Sequence, residues 1–465
     1  MSTIEELERD YVSRHPKSKL LYERAKSCFP NGVTHDGRFV RPFPIYAARA
    51  QGTHKWDVDG NEYVDYVMGH GTLLLGYGDE RVLASVEEYV DKGMHMGTST
   101  ELEIEWAELI KRLVPSARGG HVRALSSGTE ANFMAIRLAR IYTDREKIVL
   151  NAGAYHGKSD TTIIASRGPP HGLCNVRGIP RGVRDDVLII PFNDLEAAEE
   201  AFQGGDVACI VFQGNALYTE EYIRDLKRLA RQYGVVFIMD EVVSGMRYAA
   251  GGAQEYYGVT PDLTVLGKIV GGGAPIGVIC GKKEIMEGYA FKDDHWNRFV
   301  RIGVGGTWNA QPITIAGGVA MMKIIEEERG SIYPKLYSIG RRLTKSFNEK
   351  AEDLGVAALA SGLPPENPTV FAIHPFKEAI PPGKMYLWKE GPRTLDDYKA
   401  KAAFSAGAQA THVNYLATVK SGVYPFPRGF YVLCTKYSEE DLEKTEAAFD
   451  SSLRALKKNG VVGER

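Results

Sequence analysis

The chain is short of every feature that would mark it as specialised. Its 57 basic and 59 acidic residues leave a net charge of −2, which provides no electrostatic footprint for nucleic acid. No apolar run approaches the ~20 residues that a membrane span requires. The first stretch, "MSTIEELERDYVSRHP", is acidic and lacks the apolar segment of a secretory leader, so export is not expected. Cysteine is scarce. Cys28, Cys174, Cys209, Cys280 and Cys434 are odd in number and far apart, with no C-x-x-C. That pattern excludes a disulfide framework or zinc ribbon and suits free thiols in a reducing compartment, with the cytoplasm as the expected location. No metal site is expected, and no internal repeat or low-complexity tract is present.

What remains is a large globular composition, 44% apolar and 25% charged over 465 residues, enough for two or three domains. Residues 1 to about 50 read as an entry helix and an irregular segment containing Pro and Arg. "GTHKWDVDGNEYVDY" (52–66) alternates around Asp59-Gly60, which signals a β-hairpin. From about 70 onward, short apolar runs ("KIVLNAG", "ACIVF", "VVFIMDE", "LTVLGK", "IGVICG") alternate with helical periods ("EIEWAELIKRL", "ANFMAIRLARIY", "YIRDLKRLARQYG"). This alternation predicts an α/β domain with a mostly parallel sheet covered on both faces. "GGVAMMKIIEEE" reads as a long linking helix. The tail, "VYPFPRGFYVLCT" and then "SEEDLEKTEAAFDSSLRALKKNG", reads as a strand and terminal helix of a smaller α+β domain. Residues 361–395, rich in Pro and Gly, read as a long loop.

Four stretches carry candidate chemistry. "SSGTEANFMAIRLAR" (126–140) follows a short strand, and Ser127-Gly128-Thr129-Glu130 fits a capping box. It either simply starts a helix or also offers free amides and hydroxyls to a phosphate. "NAGAYHGKSD" places Tyr155 and His156 between glycines, a structural pair unless a planar ligand stacks on the tyrosine. In "TVLGKIVGGGAPIG", Lys268 ends an apolar strand and precedes three glycines. The spacing is neither a Walker loop nor a dinucleotide fingerprint, and a lysine so placed is either solvated or a desolvated nucleophile. "VVFIMDEVVSGMR" puts two acids, Asp240 and Glu241, at the mouth of a strand buried on both faces. In a parallel sheet, Asp240 and Lys268 share the carboxyl edge where ligands bind. A strand-end aspartate, a strand-end lysine and a phosphate-binding helix start together suit pyridoxal 5'-phosphate, the lysine as Schiff base and the aspartate on the ring nitrogen.

With these motifs in order, together with "GGAQEYYGVTPDLTVLGKIVGGGAPIG" and "GGTWNAQP", the chain resembles class III pyridoxal-phosphate-dependent aminotransferases of fold type I. The resemblance is to the branch around glutamate-semialdehyde aminomutase and runs nearly the full length. It implies a large domain (70–315) holding a seven-stranded, mostly parallel sheet between helices. A smaller α+β domain would be built from residues 1–69 and 316–465. It implies that Ser127, Gly128 and Thr129 hold the phosphate, with Thr307 reaching it from a second subunit of a homodimer with composite sites. Tyr155 and Val242 would cover the two ring faces, with His156 beside the cofactor. Asp240 would meet the ring nitrogen, Asn215 the ring hydroxyl, and Lys268 would be both Schiff base and proton shuttle. Arg38, His70 and Arg428 would face the substrate.

The match has departures. The family's Glu-Pro before its Gly-Asn is missing in "CIVFQGNALY". The aminomutase's late acid is replaced by Arg428 in "PFPRGF", and its early aromatic by His70 in "MGHGT". The arginine is closer to aminotransferases of β-amino acids or of aromatic amino acids such as D-phenylglycine. Two arginines suit a site that takes two acids in turn. The reading put first is therefore ping-pong transfer from an amino donor to a keto-acid acceptor. The alternatives are an aminomutase, a racemase, or a binding protein that has lost catalysis.

Overall fold

The computed structural model describes residues 3–167 and 177–464; Cys174 lies outside them. The chain forms two compact units. One comprises Met1–Asp79, Pro334–Met385 and Ala402–Arg465, and the other Glu80–Tyr333 and Tyr386–Lys401. The boundaries expected after residues 69 and 315 therefore fall elsewhere, and a short late segment returns to the larger unit.

The smaller unit begins with two helices, Ile4–Arg14 and Pro16–Ala25, the first closed by a Thr3/Glu6 capping box. Strands β1 (Ala47–Gln51), β2 (His54–Asp57) and β3 (Glu62–Asp65) follow, paired antiparallel in sequence order. The β2–β3 turn forms where "DVDGN" requires it. Gly60 takes φ +93°, and Asp57 Oδ1 accepts the Asp59 and Asn61 amides at 3.0 and 2.8 Å.

The larger unit carries β4 (His121–Leu125), β5 (Lys147–Asn151), β6 (Val187–Ile190), β7 (Val207–Gln213), β8 (Val236–Asp240), β9 (Leu263–Gly267) and β10 (Gly277–Gly281). They form one seven-stranded sheet in the order β4-β10-β9-β8-β7-β5-β6. Pairing is parallel from β6 through β9, while β10 runs antiparallel to both neighbours. This is the α/β fold with a mostly parallel sheet. Every residue of β8 and β9 is buried, as continuous apolar runs in a sheet covered on both faces should be. Helix Gly128–Thr143 buries Ala131, Met134, Ala135 and Leu138 at helical spacing. Helix Glu220–Gln232, capped by Thr219, does the same with Tyr222, Ile223, Leu226 and Ala230. Among the described residues no helix is long and apolar enough to cross a membrane.

The linking helix runs from Pro312 to Asp353. Beyond it, β11 (Ala358–Leu363), β12 (Val370–Pro375) and β14 (Phe430–Val432) make an antiparallel sheet, and β13 (Val423–Tyr424) lies parallel beside β3. Two expectations fail here. The loop read at 361–395 contains β12 and the short helix Tyr386–Lys389; the run "VFAI" is a strand whose flanking prolines made the region look irregular. The single strand read at "VYPFPRGFYVLCT" is two strands in different sheets. Pro425 and Pro427 cannot donate to a ladder, and the Gly429 amide turns back to the Phe426 carbonyl at 2.8 Å.

The two acids after β8 part company. Glu241 is fully buried and turns to the helix Ala253–Tyr256. There it accepts both the Gln254 amide (3.1 Å) and side chain (2.9 Å), the Ser244 hydroxyl (3.0 Å) and the Ala253 amide. A Cβ on Gly252 would lie 2.3 Å from Glu241 Oε2, so only glycine fits there. Burial pushes the Glu241 carboxyl up, and its four donors oppose that shift. Glu241 is thus the lock of the turn that follows Asp240. Glu241→Ala should lower unfolding free energy by on the order of 3 kcal/mol, read from urea denaturation. A loss below about 1 kcal/mol, the net worth of one ordinary hydrogen bond, would contradict this role.

Candidate active site

Register explains why the site forms where it does. Gln213 ends β7 opposite Asp240, and Asp240 pairs with Val265 on β9, three residues before Lys268. The carboxyl ends of three neighbouring strands thus place an amide, a carboxylate and an amine along one sheet edge.

Asp240 is 4% exposed. Its Oδ2 accepts Asn132 Nδ2 at 2.8 Å and His156 Nδ1 at 2.7 Å, and its Oδ1 accepts the Val242 amide at 3.0 Å. Because Oδ2 is the acceptor, Nδ1 carries the imidazole proton. Asn132 Oδ1 and His156 Nε2 are buried and have no hydrogen-bond partner.

Lys268 opens a short 3-10 turn with φ +53°, an uncommon backbone state for a non-glycine residue that clusters at functional sites. Burial pushes its amine down; the Asp240 charge opposes this and Arg247, itself fully buried, adds to it. Among the described residues its Nζ makes no hydrogen bond or ion pair. Lowering the pKa of an amine raises the share of its nucleophilic neutral form.

The helix start is shaped for close approach. Ser127 caps it by accepting the Glu130 amide at 3.2 Å. A Cβ on Gly128 would lie 2.8 Å from Val242 Cγ2, and one on Gly157 would lie 2.4 Å from Thr129 Oγ1. The segment carrying Tyr155 and His156 is therefore packed onto the phosphate-type helix start. Tyr155 is 54% exposed, and its amide donates to Gln213 Oε1 at 2.7 Å. Gln213 Nε2 donates to Asn215 Oδ1 at 3.2 Å. Thr307 is exposed. The free helix-start amides, the free amine and the buried carboxylate with one open acceptor position fit pyridoxal phosphate. Asn132 and Gln213 are site residues that sequence reasoning missed.

Arg38, His70 and Arg428 belong to the smaller unit. Arg38 and His70 line a cavity of about 350 Å³ whose other walls include Phe29, Val33, Ile45 and Phe426. Arg38 Nη1 donates to Thr34 Oγ1 at 3.0 Å, and the His70 ring lies 5.3 Å from that of Phe426. Lys55, also on this cavity, is paired with Asp65 at 2.6 Å, which leaves Arg38 as the lining cation without a carboxylate among the described residues. Arg428 is exposed, one residue beyond the lining Pro427.

Comparison with known proteins agrees with this geometry. The family model for class-III aminotransferases matches residues 37–357. Glutamate-1-semialdehyde 2,1-aminomutase of Methanothrix thermoacetophila is 37% identical over 74% of this chain and 80% of its own length. An omega-transaminase from Sphaerobacter thermophilus superposes with TM-score 0.82 at 31% identity, covering 96% of this chain and 99% of that one. A transaminase solved with pyridoxal phosphate (PLP) bound gives TM-score 0.81 at 27% identity, with coverage of 96% and 99%. The chain belongs to the class-III aminotransferase family and has the fold of its pyridoxal-phosphate enzymes.

Proposed function

We propose that the chain is a pyridoxal-phosphate enzyme that moves an amino group within one small amino carboxylate, an aminomutase of the glutamate-1-semialdehyde type. The observation that carries the chemistry is the sheet edge on which a buried carboxylate and a half-buried free amine end neighbouring strands beside a helix start. The name carried by the Methanothrix relative supports intramolecular transfer over the net transfer that the sequence put first. A non-catalytic binding role leaves the desolvated Lys268 without a purpose.

Bound pyridoxal phosphate supplies an aldehyde that captures amines and a cationic ring that withdraws electrons. The chain's residues do the rest. Lys268 anchors the cofactor and, once displaced, moves the proton at the carbon bearing the amine, a role its lowered amine suits. Asp240 holds the ring nitrogen protonated. Amides and hydroxyls of Ser127, Gly128 and Thr129 hold the phosphate at the positive end of the helix dipole. Val242, wedged against Gly128 and Gly267, and Tyr155 cover the ring, and Asn215, steadied by Gln213, meets the ring hydroxyl. Arg38 takes the substrate carboxylate in a bidentate fork, with His70 beside it. The cysteine pattern supports a cytoplasmic location.

A second reading, net transfer from an amino donor to a keto acid, is favoured by the likeness to the omega-transaminase and by Arg428, a second cation for a second acid. One assay separates the two. Glutamate 1-semialdehyde offered without any keto acid should isomerise completely over many turnovers. Turnover that starts only when a keto-acid acceptor is added would give the reaction to the transaminase.

We also infer a homodimer in which Thr307 serves a second copy's phosphate. Thr307 is exposed in a stretch with Phe291 (77%), Phe299 (70%) and Trp308 (59%) also open. Single exposed aromatics need no explanation, but a run of them in one segment marks an interaction surface. Inactive Lys268→Ala and Thr307→Ala proteins, mixed under subunit-exchange conditions, should regain activity in heterodimers. A fully active monomer in sedimentation would refute the composite site.

A further inference from the structure

Asn132 lies one helical turn past Gly128 and is 2% exposed. Its Nδ2 donates twice, to the Gly128 carbonyl at 3.1 Å and to Asp240 Oδ2 at 2.8 Å. One amide therefore ties the helix start, proposed to hold the phosphate, to the carboxylate proposed to hold the ring nitrogen. Those groups would hold different parts of one ligand, so this side chain couples their positions.

It also sets the rotation of the carboxylate. Each carboxylate oxygen accepts about two hydrogen bonds. Oδ2 already has two, from Asn132 and from His156 at 2.7 Å, while Oδ1 has one, from the Val242 amide at 3.0 Å. One acceptor position remains, on Oδ1. All three neighbours are donors, a shell that suits the ionised form.

We propose that Asn132 is a positioning residue for the cofactor. With His156 it fills Oδ2 so that Oδ1 alone meets the ring nitrogen, and by donating to the carboxylate it weakens Asp240 as a base, so the shared proton stays on the ring. The inference rests on the cofactor reading given above. The titratable groups around Asp240 are His156, from the segment after β5, and Lys268, from the end of β9. Arg247, in the turn after β8, acts on Lys268. Helix Gly128–Thr143 contributes Asn132, with Glu130 turned to the Ser126 amide at 2.8 Å.

The test uses the full chain loaded with pyridoxal phosphate whose ring nitrogen is isotope-labelled, followed by NMR across the pH range of the folded protein. Wild-type protein should show a protonated ring nitrogen. Asn132→Leu, similar in volume but unable to donate, should move the resonance toward the unprotonated position at every pH and weaken cofactor binding on the order of tenfold. Asn132→Asp keeps the shape. While protonated, its carboxyl donates to Oδ2 and restores the wild-type signal; as pH rises through the coupled titration of the two carboxyls it should come to resemble the leucine variant. A residue that only fills space gives neither the loss nor the pH-dependent rescue. An unchanged resonance in Asn132→Leu, or a pH-independent one in Asn132→Asp, overturns the proposal. Wild-type protein that takes up no pyridoxal phosphate overturns the cofactor reading itself.

Discussion

The rest of the site depends on one awkward demand: a carboxylate must be accommodated at the buried end of an apolar strand. Removing a charge from water costs several kcal/mol even after relaxation, and a buried anion persists only where donors surround it. Asp240 finds them in three separate places: on the helix that begins at Gly128, in the segment around His156, and in the backbone of its own turn. Satisfying the charge therefore fixes the helix start, the aromatic segment and the strand end against one another. Glu241, next in sequence, meets the same demand by facing the other way, into the amides of Ala253 and Gln254. Its donors, Ser244 in the turn and Ala253 and Gln254 on the short helix beyond, fill its acceptor positions, which makes it structural. Asp240 keeps an acceptor position in reserve.

Lys268 is the complement of that arrangement. Burial pushes the amine down, toward its neutral form, and its side chain makes no hydrogen bond or ion pair among the described residues. The nearby anion and Arg247 act in opposite senses on it, so the burial effect decides. A half-buried amine and a buried carboxylate, left unpaired with each other, are more costly than a direct ion pair. Perturbed groups left in this way mark a candidate binding site.

Much of this was legible in the sequence. Continuous apolar runs gave β7, β8 and β9, because strands covered on both faces need no alternation, and glycines flanking Lys268 marked close backbone approach. The capping pattern at Ser127 located the helix start without deciding between a bare cap and a phosphate cradle. Asn132 was hidden because it sits on the apolar face of a helix read by periodicity. A polar residue at a core position among Ala131, Met134 and Ala135 was the available signal. Gln213 stood in a stretch judged by what it lacked, the Glu-Pro, and its bonds to Tyr155 and Asn215 show that the position still carries polar work. β12 was lost to its prolines, since composition averaged over 361–395 outweighed a short apolar run. Composition and periodicity could not bring Arg38 and His70 onto one cavity, because that depends on tertiary packing; only the family resemblance placed both toward the substrate.

On the proposed reading, the substrate side turns on one arginine. Arg38 lines a largely apolar cavity and has no carboxylate partner among the described residues, so a bound carboxylate supplies a charged hydrogen bond on the order of 1.5–3 kcal/mol, roughly ten- to a hundredfold in affinity. Arg428 lies one residue beyond that lining.

The central claim is that Lys268 is the cofactor's covalent anchor, and borohydride reduction of pyridoxal-phosphate-loaded protein followed by peptide mapping tests it most directly. The chain offers a second half-buried amine as an internal control: burial pushes Lys401 down to about 8, and among the described residues its Nζ donates to the Leu387 carbonyl at 2.8 Å. The account predicts that the reduced label falls on Lys268 and that Lys268→Ala folds but takes none. A label on Lys401 or any other lysine, or one that survives in Lys268→Ala, would contradict it.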